Sequence, residues 1–403
     1  LKEDWMNLLN PDSITHADLI VAIPSYNQAA AIPFVVKQTV KGLREYFPDF
    51  VSVIINLDDH SEDDTKRAFL AAQSDVPKIY LSTTPGARGR GRGLYSLFQE
   101  MIALNARAAV VVSADLTSLT PEWIQELAAP ILFGYDYATP SYSHSETDNS
   151  IGSIICRPLI YGLLGMDIRF PIAGEIAISN NLAQYYLQQL WAPAAYDSGI
   201  DIFMTAHALL GGYECCQVAL GAKNEKAQRT EPTSLLRQTL EILFPTLLAN
   251  KDKWLCPVSP RPLRTFGEEK IGRTKNLTMY WRGVEASARR EFQANRVFLS
   301  EILTSELFAK LTDKFERQQL TLETDLWMNV LYEILFVYDK REQNPKILET
   351  LKPFYWGRVL TLVNQAEKRG HKDFEDMFKT QAECFYHNRQ VLTKKYEYKR
   401  AVA

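Results

Sequence analysis

The chain has 403 residues, which at the usual domain size is a prior of about two to three domains. Apolar residues make up 46% and charged residues 23%, and 45 Lys and Arg stand against 48 Asp and Glu for a formal charge of −3. That balance excludes a protein whose main work is to grip a nucleic-acid backbone or an anionic membrane, since both call for a basic surface. Asp18 to Ile23 is a compact apolar run ending at Pro24, and reads as a strand. Ala30 to Tyr46 carries Ile32, Val35, Val36, Val40, Leu43 and Tyr46 at helical spacing. Val51 to Leu57 is a second strand, Asp64 to Gln73 a helix, and Lys78 to Ser82 a third strand. After a glycine-rich loop, a helix is expected from about Leu94 to Asn105, then a fourth strand from Ala108 to Ser113. Thr120 is placed as an N-cap with Pro121 and Glu122 in the first helical turn, and Trp123, Ile124, Leu127 and Ile131 form the inner face.

Strands alternating with helices predict an α/β fold, a Rossmann-like, mostly parallel sheet covered on both faces. Lys251 to Thr274, rich in Pro, Arg and Gly, reads as a long crossing loop, and Val284 onward is almost wholly helical. The expected division is residues 1–250 as a sheet domain and 251–403 as a helical region. No apolar run reaches 18 residues, so no stable membrane insertion is expected. No charged-then-apolar leader stands at Leu1, although the chain does not begin with Met, and a cytoplasmic location is expected. Cys156, Cys215, Cys216, Cys256 and Cys384 form no C-x-x-C pair and read as buried or half-buried thiols in a reducing compartment.

Ligands of such sheets lie beyond the carboxyl ends of the strands, so those ends carry the chemistry. The first runs into Pro24-Ser25-Tyr26-Asn27-Gln28 and the second into Asp58-Asp59-His60-Ser61. An acidic pair there can accept hydrogen bonds from a ribose hydroxyl or the N–H of a base. Asp59 and Ser61 would equally suit caps of the next helix. The third strand runs into Pro85-Gly86-Ala87-Arg88-Gly89-Arg90-Gly91-Arg92-Gly93. Its glycines permit close backbone approach and its arginines supply charge-assisted donors, a combination suited to a diphosphate. A flexible exposed loop is the plainer reading, and an arginine–glycine nucleic-acid segment sits poorly in an acidic protein. The fourth strand ends Ser113-Ala114-Asp115, a carboxylate placed to meet a metal or a sugar hydroxyl, or to make a turn.

Taken in order, Ile23-Pro24-Ser25-Tyr26-Asn27, Asp58-Asp59-His60-Ser61 and Ser113-Ala114-Asp115 resemble the nucleotide-sugar-dependent glycosyltransferases of the GT-A fold. The segment Asp115 to Ile124, Phe133-Gly134-Tyr135, Pro171-Ile172-Ala173-Gly174-Glu175 and Gly199-Ile200-Asp201 are similar to the retaining mannosylglycerate synthase and glucosyl-3-phosphoglycerate synthase families. The resemblance spans residues 18–245 and, more loosely, the helical tail. It implies that Pro24, Tyr26, Gln28 and Asp58 or Asp59 line the nucleotide and that Arg90 lies near the nucleotide and diphosphate, with Arg88, Ser113 and Ala114 also expected at the donor. It implies that Asp115 holds a divalent cation, Mg or Mn, and that Glu175 binds hydroxyls of the donor sugar. Asp201 falls at the reacting centre, and His144 and Asp148 in the acceptor loop.

Two departures stand out. Ser113 replaces the first carboxylate of the D-x-D motif, and Glu225 in Gly221-Ala222-Lys223-Asn224-Glu225 stands where the families place a metal-binding histidine. An all-oxygen shell from Asp115, Glu225 and phosphate suits Mg²⁺, whereas loss of the metal would leave Arg88, Arg90 and Arg92 to neutralise the diphosphate. His144 near the place of a family arginine and Gly152 in place of a hydroxyl residue alter the acceptor loop. The expected function is transfer of a hexose, with retention, from a nucleotide-diphosphate sugar such as GDP-mannose, UDP-glucose or GDP-glucose to a small hydroxylated acceptor such as glycerate or phosphoglycerate, a compatible-solute reaction. Same-face displacement is implied, with Asp201 or Glu175 as nucleophile or base the other course. The alternatives are a catalytically silent nucleotide-sugar-binding protein and an inverting transferase with a polysaccharide or lipid-linked acceptor. The apolar faces of the C-terminal helices suit either the acceptor side or a homodimer contact.

Overall fold

The computed structural model of the protein describes residues 6–145, 151–224, 232–268, 283–369 and 374–400. The chain divides into two compact units. The first comprises Leu1–Thr147, Phe170–Thr230 and Leu263–Gly272, and the second Asp148–Arg169, Glu231–Pro262 and Arg273–Ala403. The boundary is therefore not a single cut near residue 250. Of the described residues, 151–169 and 232–250 belong with the C-terminal helices, and 263–268 return to the sheet unit.

Among the described residues of the first unit, nine strands form one sheet. They are β1 (Met6–Leu9), β2 (Leu19–Ser25), β3 (Ser52–Asp58), β4 (Lys78–Thr83), β5 (Ala108–Val111), β6 (Tyr137–Ser145), β7 (Ile176–Ser179), β8 (Cys215–Lys223) and β9 (Arg264–Phe266). Their order is β1-β4-β3-β2-β5-β7-β6-β8-β9. β2 pairs in parallel with β3 and β5, β3 with β4, β6 with β8, and β8 with β9. β1 and β7 run against their neighbours. The sheet is thus α/β and mostly parallel, as the alternating pattern predicts.

Central strands are apolar on both faces because helices cover both. Leu19, Ile20, Val21, Ala22 and Ile23 of β2 are all fully buried, and each large aliphatic among them contributes about 1.5–3 kcal/mol by leaving water. One face carries the helices Ile32–Tyr46 and Pro121–Leu132, the other Arg90–Ala103 and Asn180–Gln188. Ile32, Val35, Val36 and Leu43 face inward as expected. Thr120 is the N-cap residue of the second helix, but its hydroxyl makes no capping bond, and Pro121 with its missing N–H opens the helix instead.

The reversed strand β7 matters most for function. Its first residue, Ile176, pairs with Val111 at the end of β5. A residue just before β7 therefore lies at the same sheet edge as residues just after β2, β3, β5 and β8.

The second unit is built from helices. Among them are Arg157–Leu164, entered through the π-turn Gly152–Cys156, and Pro232–Ala249, Ser305–Glu316, Thr324–Lys340, Leu351–Arg369 and Phe374–His387. Trp327 is fully buried and its indole N–H donates to the Ile154 carbonyl at 2.9 Å. The buried Arg358 guanidinium donates to Gln381, the Leu322 carbonyl and Thr324. The segment expected as one crossing loop contains the short helix Lys251–Leu255 and strand β9. Cys156, Cys215 and Cys216 are buried and Cys384 is half-buried, but Cys256 is exposed, against expectation. No helix of the described residues is long and apolar enough to cross a membrane.

Helices Ile32–Tyr46 and Pro121–Leu132 touch backbone to backbone at Gly42, where a Cβ would come within 2.6 Å of the Pro121 carbonyl oxygen. Gly42→Ala should therefore force the helices apart and cost about 1–3 kcal/mol, read as a lowered urea midpoint. An unchanged midpoint would show that the contact yields freely.

Candidate functional site

The first two strand ends are stitched together by polar side chains. The buried Asp58 carboxylate accepts from Tyr80 Oη at 2.7 Å, Ser25 Oγ at 3.2 Å and the Ser61 amide at 3.0 Å. Asn27, in the left-handed region at φ 52°, receives the Glu62 amide on its side chain, and its own amide donates to Ser61 Oγ. Asp59 accepts from the Gly89 amide at 2.7 Å and from Thr83. Burial pushes its carboxyl up, against the pull of the Gly89 N–H. Asp59 and Ser61 are thus not caps. The next helix begins after Asp64, and the two side chains instead bind neighbouring loops.

The glycine-rich segment differs from its expected form. The helix starts at Arg90, four residues before the expected Leu94, so Arg90 and Arg92 stand in its first turn. The glycines serve packing. A Cβ on Gly89 would lie 2.3 Å from the Tyr196 carbonyl oxygen, and one on Gly91 would lie 1.9 Å from that of Ala195. Gly93 sits over Leu57. Chain–chain approach, not an open cradle, explains these three positions. Below the 195–196 segment, the Trp191 ring packs 4.9 Å from Tyr95, 5.1 Å from Tyr196 and 4.7 Å from Phe203. His207 packs against Phe203, and burial pushes its imidazole down to about 4.

The close approach delivers Arg90. Its Nε lies 3.3 Å from Asp201 Oδ1, and Nη2 donates to the Gly174 carbonyl at 2.9 Å. Next to Gly174 is Glu175, fully buried just before β7. The Glu175 Oε2 atom meets Lys223 Nζ at 3.0 Å and accepts from the Tyr142 hydroxyl. A Cβ on Gly174 would find Ser113 Oγ at 3.1 Å, Lys223 Nζ at 3.7 Å and Arg90 Nη2 at 3.9 Å. These three groups therefore converge on one corner. Burial pushes the Glu175 carboxyl up, but the Lys223 ammonium, the Tyr142 hydroxyl and Arg90 outweigh it and hold it below the usual glutamate range. Asp201 goes the other way. Burial raises its carboxyl, the nearby Glu175 charge adds to the rise, and Arg90 opposes it.

A cleft of about 520 Å³ opens at this edge. Its lining includes Pro24, Tyr26, Gln28, Asp58, Asp59, Arg90, Ser113, Ala114 and Asp115, all placed there by the sequence, and also Thr83, Asp197 and Ser198, which were not. Arg88 is exposed. Its guanidinium lies over the Tyr26 ring, 5.0 Å from the centroid, and pairs with Glu62. Lys223 and Tyr142 meet Glu175 at this corner without having been singled out from the sequence. The signal available was a lysine closing the apolar run of β8. Asp148 and Glu225 lie outside the described residues, as does the His144 side chain, while the His144 backbone pairs with Ala222.

Of the charged residues lining the cleft, Asp58, Asp59, Asp115 and Asp197 are acids and Arg90 is the base. A diphosphate entering that lining needs added positive charge. Among the described residues no group of three metal-binding side chains occurs, but Mg²⁺ is commonly held by one or two carboxylates plus phosphates and water. The buried Asp115 carboxylate, with the Ser113 hydroxyl two residues away, fits that mode.

No protein-family profile matches the chain, and no curated protein matches it in sequence. Solved structures do. Glucosyl-3-phosphoglycerate synthase from Mycobacterium tuberculosis with Mn²⁺, UDP and phosphoglyceric acid is 22% identical at a TM-score of 0.45, over 58% of this chain and 78% of that one. The same enzyme with Mn²⁺, UDP-glucose and phosphoglyceric acid gives 22% and 0.44, over 58% and 79%. A mycobacterial protein gives 21% and 0.45, over 58% and 74%. Likeness at this level decides nothing about what this chain binds.

Lys223→Met would leave Glu175 buried without its ammonium, a loss of about 3–5 kcal/mol for a broken buried pair. In the native protein Glu175 sits below its unfolded value, so it stabilises above about pH 4.5 and that share is lost as pH falls through the folded value. In the variant the carboxyl rises instead, so the penalty is full at high pH and is relieved by protonation as pH falls. Thermal melts should therefore show a larger deficit at pH 8 than at pH 5. An equal deficit at both would contradict the ion pair.

Proposed function

We propose that the chain is a nucleotide-sugar-dependent hexosyltransferase of GT-A architecture. The carrying observation is that Arg90 and Asp115 line one cleft at the carboxyl edge of the sheet. The donor would lie along this edge, its nucleoside against Pro24, Tyr26, Gln28 and Asp59 and its diphosphate toward Ser113, Asp115 and Arg90. Asp115 would hold a divalent cation, which when bound neutralises charge on the leaving diphosphate.

Cleavage of the sugar–diphosphate bond builds negative charge on phosphate and positive charge at the anomeric carbon. Preorganised donors at the phosphate side stabilise the first, and electrostatic stabilisation is usually the largest contribution. Arg90 is preorganised by Asp201 and the Gly174 carbonyl. The buried Glu175, kept ionised by Lys223, accepts hydroxyls of the sugar and supplies negative charge near the ring. Asp201, its side chain 13% exposed and paired with Arg90, borders the reacting centre. The hydroxyl of a small polar acceptor such as glycerate or phosphoglycerate bonds to the anomeric carbon on the face the diphosphate leaves, passes its proton to the departing phosphate oxygen and so completes the retaining reaction, with orientation of that hydroxyl adding to the rate.

Purified protein incubated with UDP-glucose, GDP-glucose or GDP-mannose and a panel of small hydroxy acids should release nucleoside diphosphate. EDTA should stop the reaction, and Mg²⁺ or Mn²⁺ should restore it. Asp115→Ala and Arg90→Ala should each lower turnover by about a hundredfold or more while circular dichroism stays native. Full activity in both variants would refute the site. Nucleotide binding with no turnover would describe a binding protein instead.

A further inference from the structure

We propose that Lys223 and Tyr142 are positioning residues for the donor sugar, acting through Glu175 to present one bare carboxylate oxygen to a sugar hydroxyl. This rests on the transferase reading above. Both donors contact the same atom, Glu175 Oε2, while Oε1 is buried and has no hydrogen-bond partner among the described residues. A fully buried anionic oxygen left unpaired is costly, and a ligand hydroxyl satisfies it. With one oxygen clamped by two donors, the carboxylate cannot rotate to exchange the two.

The clamp is a product of the sheet. Tyr142 is on β6 and Lys223 closes β8, parallel neighbours whose register shifts on either side of Tyr142. Such bulges re-aim a side chain. The reversed β7, between β5 and β6, brings Glu175 to the same sheet edge. The charged groups around the carboxylate are Lys223 from β8, Arg90 from the helix Arg90–Ala103 and Asp201 from the helix Ile200–Gly211, with the Tyr142 hydroxyl from β6. The Lys223 side chain is 8% exposed, which suits an inward role better than direct capture of an arriving phosphate.

The test separates sugar from nucleotide. Calorimetry with Mg²⁺ compares UDP with UDP-glucose, and GDP with GDP-mannose, on native protein, Tyr142→Phe and Lys223→Met, at a temperature where each remains folded. The native protein should bind one nucleotide sugar more tightly than its bare nucleotide. In Tyr142→Phe that gain should fall about tenfold while affinity for the bare nucleotide changes less than about twofold, the loss of one hydrogen bond to a charged group. In Lys223→Met the gain should vanish. Tyr142→Phe keeps the ring in the core, so it carries the test should Lys223→Met not fold. Parallel loss of nucleotide and nucleotide-sugar affinity, or no loss of the gain, overturns this inference while leaving the transferase reading intact. A native protein that binds none of the four overturns both.

Discussion

Two missing Cβ atoms hold the site together. Gly89 and Gly91 let the start of one helix lie against the carbonyls of Ala195 and Tyr196, closer than any side-chain-bearing residue allows. That contact decides where Arg90 points, and Arg90 in turn bridges Asp201 and the Gly174 carbonyl. Three stretches distant in sequence thus meet because glycine has no side chain. Glycine disfavours a helix by about 1 kcal/mol relative to alanine, so helical glycines here signal that geometry outweighs propensity.

The cleft is acidic, which looks wrong for a polyanion until each carboxylate is followed to its partners. Asp58 is occupied by hydroxyls and an amide, and Asp59 by the Gly89 amide. Asp201 and Glu175, which are not part of the cleft lining, each face a cation. These acids shape the pocket by accepting hydrogen bonds. Asp115 lines the same wall, and a divalent ion shared with phosphate is the simplest route to charge balance there.

The succession of β2, β3, β4 and β5 along the chain was legible because they are apolar runs separated by helical periodicity or turn residues, whereas β1 was not expected. Their ends gave the cleft residues from Pro24 to Asp115 through the rule that ligands sit beyond strand termini. What stayed hidden depends on long-range placement. β7 is only four residues long, and nothing local reveals that it runs backwards. Hence Glu175 was traceable only by resemblance, and its partners Lys223 and Tyr142 not at all. The early start of the helix at Arg90 was hidden because alternating glycines read as a loop. The helical segments from residue 284 were plain, but the return of Arg264–Phe266 to the sheet as β9 was not.

The aromatic nest under the cleft wall has an optical consequence. Trp191 touches Tyr196, whose next neighbours in the chain, Asp197 and Ser198, form part of the wall. Its indole N–H is tied to the Tyr186 carbonyl, so the ring has a fixed seat. Any displacement of that wall alters the surroundings of the indole, giving the protein an intrinsic fluorescence gauge beside its pocket that needs no attached dye.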